Sequence, residues 1–393
     1  MIYLDNAATS YPKPERVYDE MLLCMKEFCA NPGRAGHELA IKSGRAVHET
    51  REIVSRFFNI GNPMRVVFTK NATEALNIAI NGVLKTGDHV ITTSMEHNSV
   101  LRPLKTLEKE NIIELTIVRG NYFGEIDIMD IERSIKKNTK MIICSLSSNV
   151  NGIIMPIIDI GKIAEDKGIL FLVDASQGAG SMKLDVQEIK ADMFAFPGHK
   201  GLLGPQGIGA LYVRKGTRID NLIHGGAQER KRRSGTENVA AVAGMGKAVQ
   251  LAVENLDQHV HKMTSLRDAL INGIKERIPY VRLNGHPTQR LANNVNFSFE
   301  FVEGEALLLS LDMVGIAASS GSACTSGSLD PSHVLLAIGL SHETAHGSLR
   351  MSLGEINTRE DIDYILDKLP PIVERLRALS PLFKQCEGGK ANV

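Results

Sequence analysis

Residues 168–213 read GILFLVDASQGAGSMKLDVQEIKADMFAFPGHKGLLGPQGIGALYV. Three short apolar runs in this stretch, GILFLV, DMFAF and GALYV, are rich in β-branched and aromatic residues. None of them alternates apolar with polar residues, which predicts strands that are buried on both faces. Because helices cover both faces of such a sheet, the stretch indicates an α/β fold whose ligands bind at the carboxyl ends of the strands.

The same pattern extends upstream to about residue 60. Four further runs, RVVFT, HVITT, IIELTIV and MIICSL, bring the number of predicted strands to seven. PIIDIGKIAEDKG lies between two of the runs and places apolar residues at helical spacing, which predicts a crossover helix. The predicted fold class is therefore α/β, with a mostly parallel sheet of the seven-stranded type and flanking helices.

The pattern changes after about residue 255. Helical stretches there alternate with ANNVNFSFE (292–300) and SLRMSLGE (348–355), which predicts a smaller α+β domain. The last long helix contains Pro370 and Pro371. Proline lacks the backbone N–H that a helix interior needs, so we expect the helix to break or kink there.

Composition excludes several classes of protein. The 393 residues carry 45 lysines and arginines against 45 aspartates and glutamates, so a general nucleic-acid binder is not expected. The five cysteines are odd in number and form no CxxC pair, which argues against a disulfide framework or a metal site. The N-terminus lacks a signal-peptide pattern, and no apolar run approaches the ~18 residues that span a bilayer. We therefore predict a cytoplasmic protein without a membrane segment.

Two charged residues follow predicted strands. Lys200 lies in a glycine-rich loop after DMFAF, and a lysine at such a position is usually only solvated. Asp174 ends the run ILFLV, where a carboxylate needs a cation. A protonated pyridine nitrogen is such a cation, and a Schiff-base lysine with an aspartate on the ring nitrogen is the pyridoxal phosphate arrangement. The alternative is that Asp174 caps a following helix.

Two turns after strands could contact a phosphorylated ring. In KNATEALN, Asn71 and Glu74 fit a capping box, which presents the amides of Ala72 and Thr73 to a phosphate. The alternative is a capped helix without a ligand. In EHNS, His97 could stack on a flat ring, although a lone histidine more often stabilises a turn.

The segment SSGSACTSGS (319–328) contains one thiol, that of Cys324, among small polar residues. A buried structural cysteine would have apolar neighbours, so this thiol is predicted to be an accessible nucleophile. Downstream, Arg350 lies in the strand-like SLRMSL, where a guanidinium can bind a carboxylate through two hydrogen bonds.

Ten motifs together resemble the cysteine desulfurases, which are class V aminotransferase-like enzymes of pyridoxal phosphate fold type I. The resemblance runs from Ile2 to about Leu382, and the cysteine segment resembles the group that supplies iron–sulfur cluster assembly. The motifs are, in order, YLDNAAT, NATEALN, EHNSV, DASQ, GHK, GPQGIGALYV, HGGAQERKRRSGTENV, VEGEALL, SSGSACTSGSLDPSHVLLAIGL and HGSLRMSLGE.

The resemblance implies a pyridoxal 5'-phosphate site and a set of residues that contact the cofactor. Lys200 resembles the Schiff-base lysine, His97 the stacking histidine, and Thr236 a phosphate ligand that reaches across from the second subunit. The implied cofactor contacts are Ala72, Thr73, His97, Asn149, Asp174, Gln177, His199, Lys200 and Thr236.

The resemblance also implies a reaction. L-Cysteine would be converted to L-alanine, with Lys200, Cys324 and His97 as catalytic residues and with Arg350 and Asn149 binding the substrate. Cys324 would take the sulfur as a persulfide and pass it to an acceptor or an iron–sulfur scaffold protein. Pro197 stands where the family usually has a serine that contacts the phosphate.

The predicted organisation is a homodimer whose large domain covers residues 16–255 and whose small domain comprises residues 1–15 and 256–393. The alternative function is a selenocysteine lyase or another class V lyase with the same cofactor. A non-catalytic sulfur-relay protein is a further alternative, which the joint presence of Lys200, Asp174 and Cys324 disfavours. A dehydrogenase is disfavoured because no GxGxxG follows a first strand.

Overall fold

The computed structural model describes residues 1–33, 36–320 and 331–384. The strands are β1 (Ile2–Tyr3), β2 (Val66–Thr69), β3 (Asp88–Thr93), β4 (Ile113–Val118), β5 (Thr139–Ser145), β6 (Leu170–Asp174), β7 (Met193–Pro197), β8 (Gly209–Val213), β9 (Val281–Leu283), β10 (Asn294–Phe299), β11 (Ile316–Ala317), β12 (Ser319–Ser320) and β13 (Ser348–Ser352). The helices are α1 (Glu15–Glu27), α2 (Glu38–Phe57), α3 (Ala72–Val83), α4 (Asn98–Lys109), α5 (Ile128–Arg133), α6 (Ile157–Lys167), α7 (Gln228–Lys231), α8 (Val239–Arg277), α9 (Gly304–Asp312), α10 (His333–Ala337), α11 (His342–His346) and α12 (Arg359–Leu379).

Seven strands form the central sheet in the order β2-β8-β7-β6-β5-β3-β4. Strand β8 is antiparallel to both of its neighbours, and the strand pairs from β7 to β4 are parallel. Each strand coincides with one of the seven apolar runs, and α6 coincides with the predicted crossover helix. The prediction of an α/β fold with a mostly parallel seven-stranded sheet is confirmed.

The composition of β7 shows why the central sheet reads as continuous apolar runs. Phe194 and Phe196 pack into the hydrophobic core on one face, whereas Met193 and Ala195 pack into the core on the other face. All four are fully buried. Side chains alternate between the two faces of a strand, so a strand covered on both sides has no polar position.

A smaller unit contains a second, antiparallel sheet in the order β12-β13-β10-β9. Its core also includes buried residues from the last half of α8, such as Leu270 and Ile274, and from α12, such as Leu369. This agrees with the α+β character predicted for the C-terminal part. Helix α8 runs through residue 255, and the division into domains at 15/16 and 255/256 stays a prediction.

Of the predicted break or kink at Pro370 and Pro371, the break is wrong, because α12 continues through both prolines. Proline at position 370 cannot donate to the carbonyl of Leu366, four residues earlier. In the structure the Arg277 guanidinium donates to that oxygen instead, at 2.9 Å. The hydrogen bond that the proline removes is thus replaced from a neighbouring helix.

Within the residues that the structure describes, no helix combines the length and apolar character needed to cross a membrane.

Candidate active site

Three predicted site residues lie at one edge of the central sheet. Asp174 is the last residue of β6, Lys200 follows the end of β7 by three residues, and His97 follows β3 by four. The carboxyl ends of parallel strands meet at the same edge. Strands β3, β6 and β7 run in parallel in this sheet, so His97, Asp174 and Lys200 share its edge. The charges of Lys200 and Asp174 both act on the pKa of His97.

The Asp174 carboxylate is buried and uses only one of its oxygens in the bonds recorded for the described residues. Its Oδ1 accepts hydrogen bonds from the backbone N–H, at 2.9 Å, and the hydroxyl of Ser176. A turn and then β7 follow Asp174, so the alternative that it caps a helix is wrong. Because a buried carboxylate needs a cationic partner, Oδ2 could hold a protonated ring nitrogen.

The His97 imidazole begins helix α4 as its N-cap. Its Nδ1 accepts a hydrogen bond from the Ser99 backbone N–H at 3.0 Å, which places the proton of the neutral ring on Nε2. Burial is the main cause that lowers the pKa of His97 to about 4, and the positive charge of Lys200 adds to it. The ring is therefore neutral near pH 7, as a group that stacks on a protonated pyridine should be.

The turn before α3 has the predicted N-cap but an incomplete capping box. The Asn71 side chain accepts from the Glu74 N–H at 2.9 Å, as expected. The Glu74 carboxylate, however, accepts from the N–H of Lys70 rather than that of Asn71. The Ala72 and Thr73 amides have no recorded acceptor in the described part of the chain, and the Thr73 hydroxyl lies 2.8 Å from that of Ser99. This helix end is open to an anion.

The loop that carries His199 and Lys200 is fastened to the N-terminal segment. The Ser10 backbone N–H donates to the His199 carbonyl at 3.0 Å, and His199 Nδ1 lies 3.1 Å from the Thr9 hydroxyl. Burial lowers the pKa of His199 to about 4, helped by the charges of Lys200 and Lys13. A Cβ on Gly201 would lie only 2.4 Å from the Ser181 hydroxyl, so only glycine allows this loop to pack so closely.

Gln177 and Asn149 are also positioned by the backbone around the site. The Gln177 amide donates to the Ala7 carbonyl at 2.9 Å and is buried. Asn149 offers its backbone carbonyl to the guanidinium of Arg350 at 3.1 Å. Both residues thus lie where the N-terminal segment, the central sheet and β13 meet.

Arg350 is the largest of the fully buried side chains, with 1% of its surface exposed. Its Nη2 donates to Asp5 Oδ1 at 2.7 Å. Its Nε is buried and has no hydrogen-bond partner in the structure as described. Because Nε and Nη2 together form one edge of the guanidinium, this edge is prepared for a carboxylate that binds through two hydrogen bonds.

One predicted residue, Thr236, does not join this group in its own chain. Thr236 is exposed and lines a different cavity, together with Thr69 and Lys70 at the end of β2. Cys324 lies outside the described residues. Cys144 is fully buried, and burial raises the pKa of its thiol well above the ordinary value, as expected for an inert cysteine.

Glu96, to which no sequence motif assigned a role, is completely buried next to His97. Its carboxylate accepts from the Thr93 hydroxyl at 2.6 Å and from both the N–H and the hydroxyl of Ser145. The His333 imidazole is hydrogen-bonded to the backbone carbonyl of Glu96 at 2.9 Å. A signal was available, because Glu96 lies only three residues after a run that predicts a buried strand.

The residues present fit pyridoxal phosphate. They offer a buried carboxylate oxygen for the ring nitrogen, a lysine beside it, a neutral imidazole and a helix N-terminus with open amides. No cluster of three or more His, Cys, Asp or Glu side chains suited to a metal ion occurs in the described ranges.

Comparisons with known proteins agree with this arrangement. A model of the Aminotransferase class-V family matches residues 2–365. The cysteine desulfurase IscS of Clostridium botulinum is 46% identical over 389 residues, which cover 98% of this chain and 97% of that protein.

Two solved structures share the fold. A NifS-like protein superposes with a TM-score of 0.88 at 31% identity, over 95% of this chain and 100% of the other. SspA, solved in complex with cysteine, superposes with a TM-score of 0.79 at 32% identity, over 90% of this chain and 99% of the other. The similarity of fold therefore extends over nearly the whole chain.

Proposed function

Because the chain belongs to the class V aminotransferase family and, within it, to the cysteine desulfurases, we propose that it converts L-cysteine to L-alanine and passes the sulfur on as a persulfide. The cofactor would be pyridoxal 5'-phosphate. An acceptor or scaffold protein of iron–sulfur cluster assembly would receive the sulfur.

Asp174, His97 and Lys200 would hold the cofactor ring. When bound, pyridoxal phosphate supplies an electrophilic carbon for the substrate amine and a sink for the electrons released at its α-carbon. Asp174 Oδ2 would keep the ring nitrogen protonated, and neutral His97 would stack on the ring. Lys200 would bind the cofactor and, once displaced, carry the proton to and from the substrate α-carbon.

The phosphate would bind at the N-terminus of α3, where the Ala72 and Thr73 amides have no recorded acceptor in the described residues. His199 would complete this site from its own chain, and Thr236 from a second subunit. Pro197, which ends β7, offers no hydroxyl to the phosphate.

Arg350 would orient the substrate through its carboxylate. The Nε–Nη2 edge of the guanidinium would form two parallel hydrogen bonds, while Asp5 and the Asn149 carbonyl keep it in place. Such orientation contributes by placing the substrate sulfur and α-carbon, and it depends on geometry more than on affinity. Gln177 and Asn149 would supply the remaining polar contacts.

The thiolate of Cys324 would attack the substrate sulfur. The bond between that sulfur and the β-carbon breaks, its electron pair stays with carbon, and a persulfide forms on Cys324. Protonation of the carbon then gives alanine. The persulfide passes its outer sulfur to a thiol of the acceptor, which restores the Cys324 thiol.

The position of Lys200, Asp174 and His97 at the carboxyl ends of three parallel strands of one sheet carries the proposal. The test is to purify the protein, record its absorption with pyridoxal phosphate, reduce with borohydride and locate the modified residue by mass spectrometry. We expect a yellow protein that is modified at Lys200 and forms alanine from cysteine. A Lys200→Ala variant that still becomes modified elsewhere, or a protein that cannot bind the cofactor, would contradict the proposal.

Two further variants separate the alternatives. Cys324→Ala assayed on cysteine and selenocysteine should lose only the cysteine reaction if the Cys324 thiol takes the sulfur. Unimpaired cysteine turnover would favour the lyase. Mixing inactive Lys200→Ala and Thr236→Ala subunits should yield some hybrid dimers with one native site. Sedimentation that shows only monomers in active samples would contradict the shared site.

A further inference from the structure

Helix α7 is a left-handed turn rather than a regular helix. Glu229, Arg230 and Lys231 have φ angles of 46°, 56° and 65°. None of the three is glycine, and in an L-residue the left-handed region brings Cβ close to the following carbonyl. Three such residues in succession persist only if surrounding contacts impose them, and strain of this kind gathers at functional positions.

A buried ion pair imposes this conformation. The Glu229 and Arg51 side chains are 2% and 6% exposed, and Arg51 Nη2 donates to Glu229 Oε1. Glu229 Oε2 also accepts from the backbone N–H of Phe68 at 3.1 Å. Both carboxylate oxygens are therefore used, and the first strained residue is fixed to β2.

Besides its bond to Glu229, Arg51 makes two further contacts, both with β2. Its Nη1 donates to the Val66 carbonyl at 2.6 Å, and its guanidinium lies 4.5 Å from the centre of the Phe68 ring. Arg230, the second strained residue, donates to the same Val66 carbonyl at 2.9 Å. The left-handed turn is thus fastened to β2 at both Val66 and Phe68.

The segment after the turn is directed toward the N-terminus of α3. Arg233 Nε donates to Glu74 Oε1 at 3.0 Å, and both side chains are largely buried. Glu74 belongs to the first turn of α3, where the phosphate is proposed to bind. Thr236, three residues further on, is exposed.

Thr236 does not share a cavity with Thr73, whose amide is proposed to bind the phosphate, in its own chain. Thr73 lines a groove with His97 and Arg102, whereas Thr236 lines a cavity with Thr69 and Lys70, and the two sets have no residue in common. In the same segment, Arg232 Nη1 and Glu237 Oε2 are buried without a hydrogen-bond partner in the described chain. This surface therefore lacks polar partners that a second copy would supply.

We propose that Glu229 and Arg51 are positioning residues: their buried ion pair holds the left-handed turn, and thereby Thr236, in place for the phosphate-binding turn of a second copy of the chain. The inference rests on the proposed function, because that phosphate belongs to the proposed cofactor. The inference also explains why the turn at Glu229 is strained, since the reaction chemistry alone does not require a left-handed turn there.

The test compares Glu229→Gln with the matched control Asp192→Asn. Asp192 also accepts from a backbone N–H, that of Phe171 at 2.9 Å, and pairs with an arginine, Arg214 at 3.6 Å. It precedes β7, however, and so lies at the edge of the sheet opposite the strand ends where the cofactor is proposed to bind. For each variant, the dissociation constants of pyridoxal phosphate and of pyridoxal, which lacks the phosphate, are measured together with the sedimentation of the dimer.

We expect Glu229→Gln to bind pyridoxal phosphate about tenfold more weakly, the effect of losing one hydrogen bond to a charged group. Its affinity for pyridoxal should stay unchanged, because pyridoxal makes no phosphate contact. Asp192→Asn should bind both compounds as the wild type does. Adding Lys231→Gly to Glu229→Gln should restore part of the lost affinity, because glycine adopts the left-handed turn without strain.

The inference is overturned if Glu229→Gln binds pyridoxal phosphate like the wild type, or if it loses affinity for both compounds equally. If Glu229→Gln does not fold, Arg51→Lys serves instead. Lysine keeps the positive charge but lacks the two guanidinium nitrogens that bind Val66 and Glu229. An Arg51→Lys variant that binds pyridoxal phosphate as tightly as the wild type also overturns the inference. A wild-type protein that binds neither compound contradicts the proposed function instead.

Discussion

Arg350 Nη2 and Asp5 Oδ1 lie 2.7 Å apart, although 345 residues separate them in the chain. The pair joins the N-terminal segment to β13, where Asp5 also forms a bridge with Ser352. The arginine side chain is 2% exposed and that of the aspartate 27%. Asp5 therefore supplies the negative charge that a buried guanidinium needs in the absence of substrate.

Removing Asp5 should cost both stability and substrate binding. We expect Asp5→Ala to lower the free energy of unfolding by about 2–3 kcal/mol, because the buried guanidinium loses its counter-charge. The KM for cysteine should rise several-fold with a smaller change in kcat. Urea unfolding and steady-state kinetics measure these effects.

Asp257→Ala is the matched control, since Asp257 also forms an ion pair of 2.7 Å, with Lys183, but both side chains are about three-quarters exposed. An exposed pair contributes at most ~1 kcal/mol. Equal losses of stability in the two variants would contradict the role assigned to Asp5.

The burial of Glu96 should make the free energy of unfolding depend on pH. Complete burial raises its pKa from 4.5 to about 7, opposed by the hydrogen bonds from Ser145 and Thr93. The folded state then keeps a proton that the unfolded chain has released, so the contribution of Glu96 is fully present below pH 4.5 and is lost as the pH rises through about 7.

Glu96→Gln removes this titration. We expect its stability relative to the wild type to improve by roughly 3 kcal/mol between about pH 4 and about pH 8. Chemical unfolding across this range measures the difference, with Glu188→Gln as a control because Glu188 is exposed. A difference that stays constant with pH would contradict the assignment.

The contact that replaces the lost hydrogen bond in α12 can be tested by a double-mutant cycle. Arg277→Ala should cost about 1–2 kcal/mol, because it leaves the Leu366 carbonyl without its 2.9 Å donor. In a Pro370→Ala background the cost should fall by at least half, since alanine restores the helical N–H. Additive effects in thermal or chemical unfolding would show that Arg277 does not act through this carbonyl.

These results show what the sequence predicts and what it does not. The seven strands were predictable because burial on both faces leaves a local pattern, and Asp174 and Lys200 were predictable because they follow such strands. The pairing of Asp5 with Arg350 was not, because no local pattern encodes a contact between distant segments. The left-handed turn at Glu229 was missed for the same reason, as its cause lies in α2 and β2.

Asp174→Asn tests the proposed role of the ring-nitrogen partner. Without the carboxylate charge, the protonated form of the pyridine nitrogen is no longer stabilised and the pKa of that nitrogen falls. Alanine formation should therefore fall by about two orders of magnitude or more. Cofactor absorption should persist, since the other contacts remain. Turnover within about threefold of the wild type would contradict the role.

The most direct test of the central claim is to incubate the cofactor-loaded protein with L-cysteine, alkylate it, and locate any added sulfur by peptide mass spectrometry while alanine is quantified. We expect one persulfide, on Cys324, formed together with alanine, and neither product beyond background in Cys324→Ser. Cys386 lies in the polar C-terminal stretch KQCEGGK and is the cysteine to compare. A persulfide found mainly on Cys386, or undiminished alanine formation by Cys324→Ser, would contradict the proposed reaction.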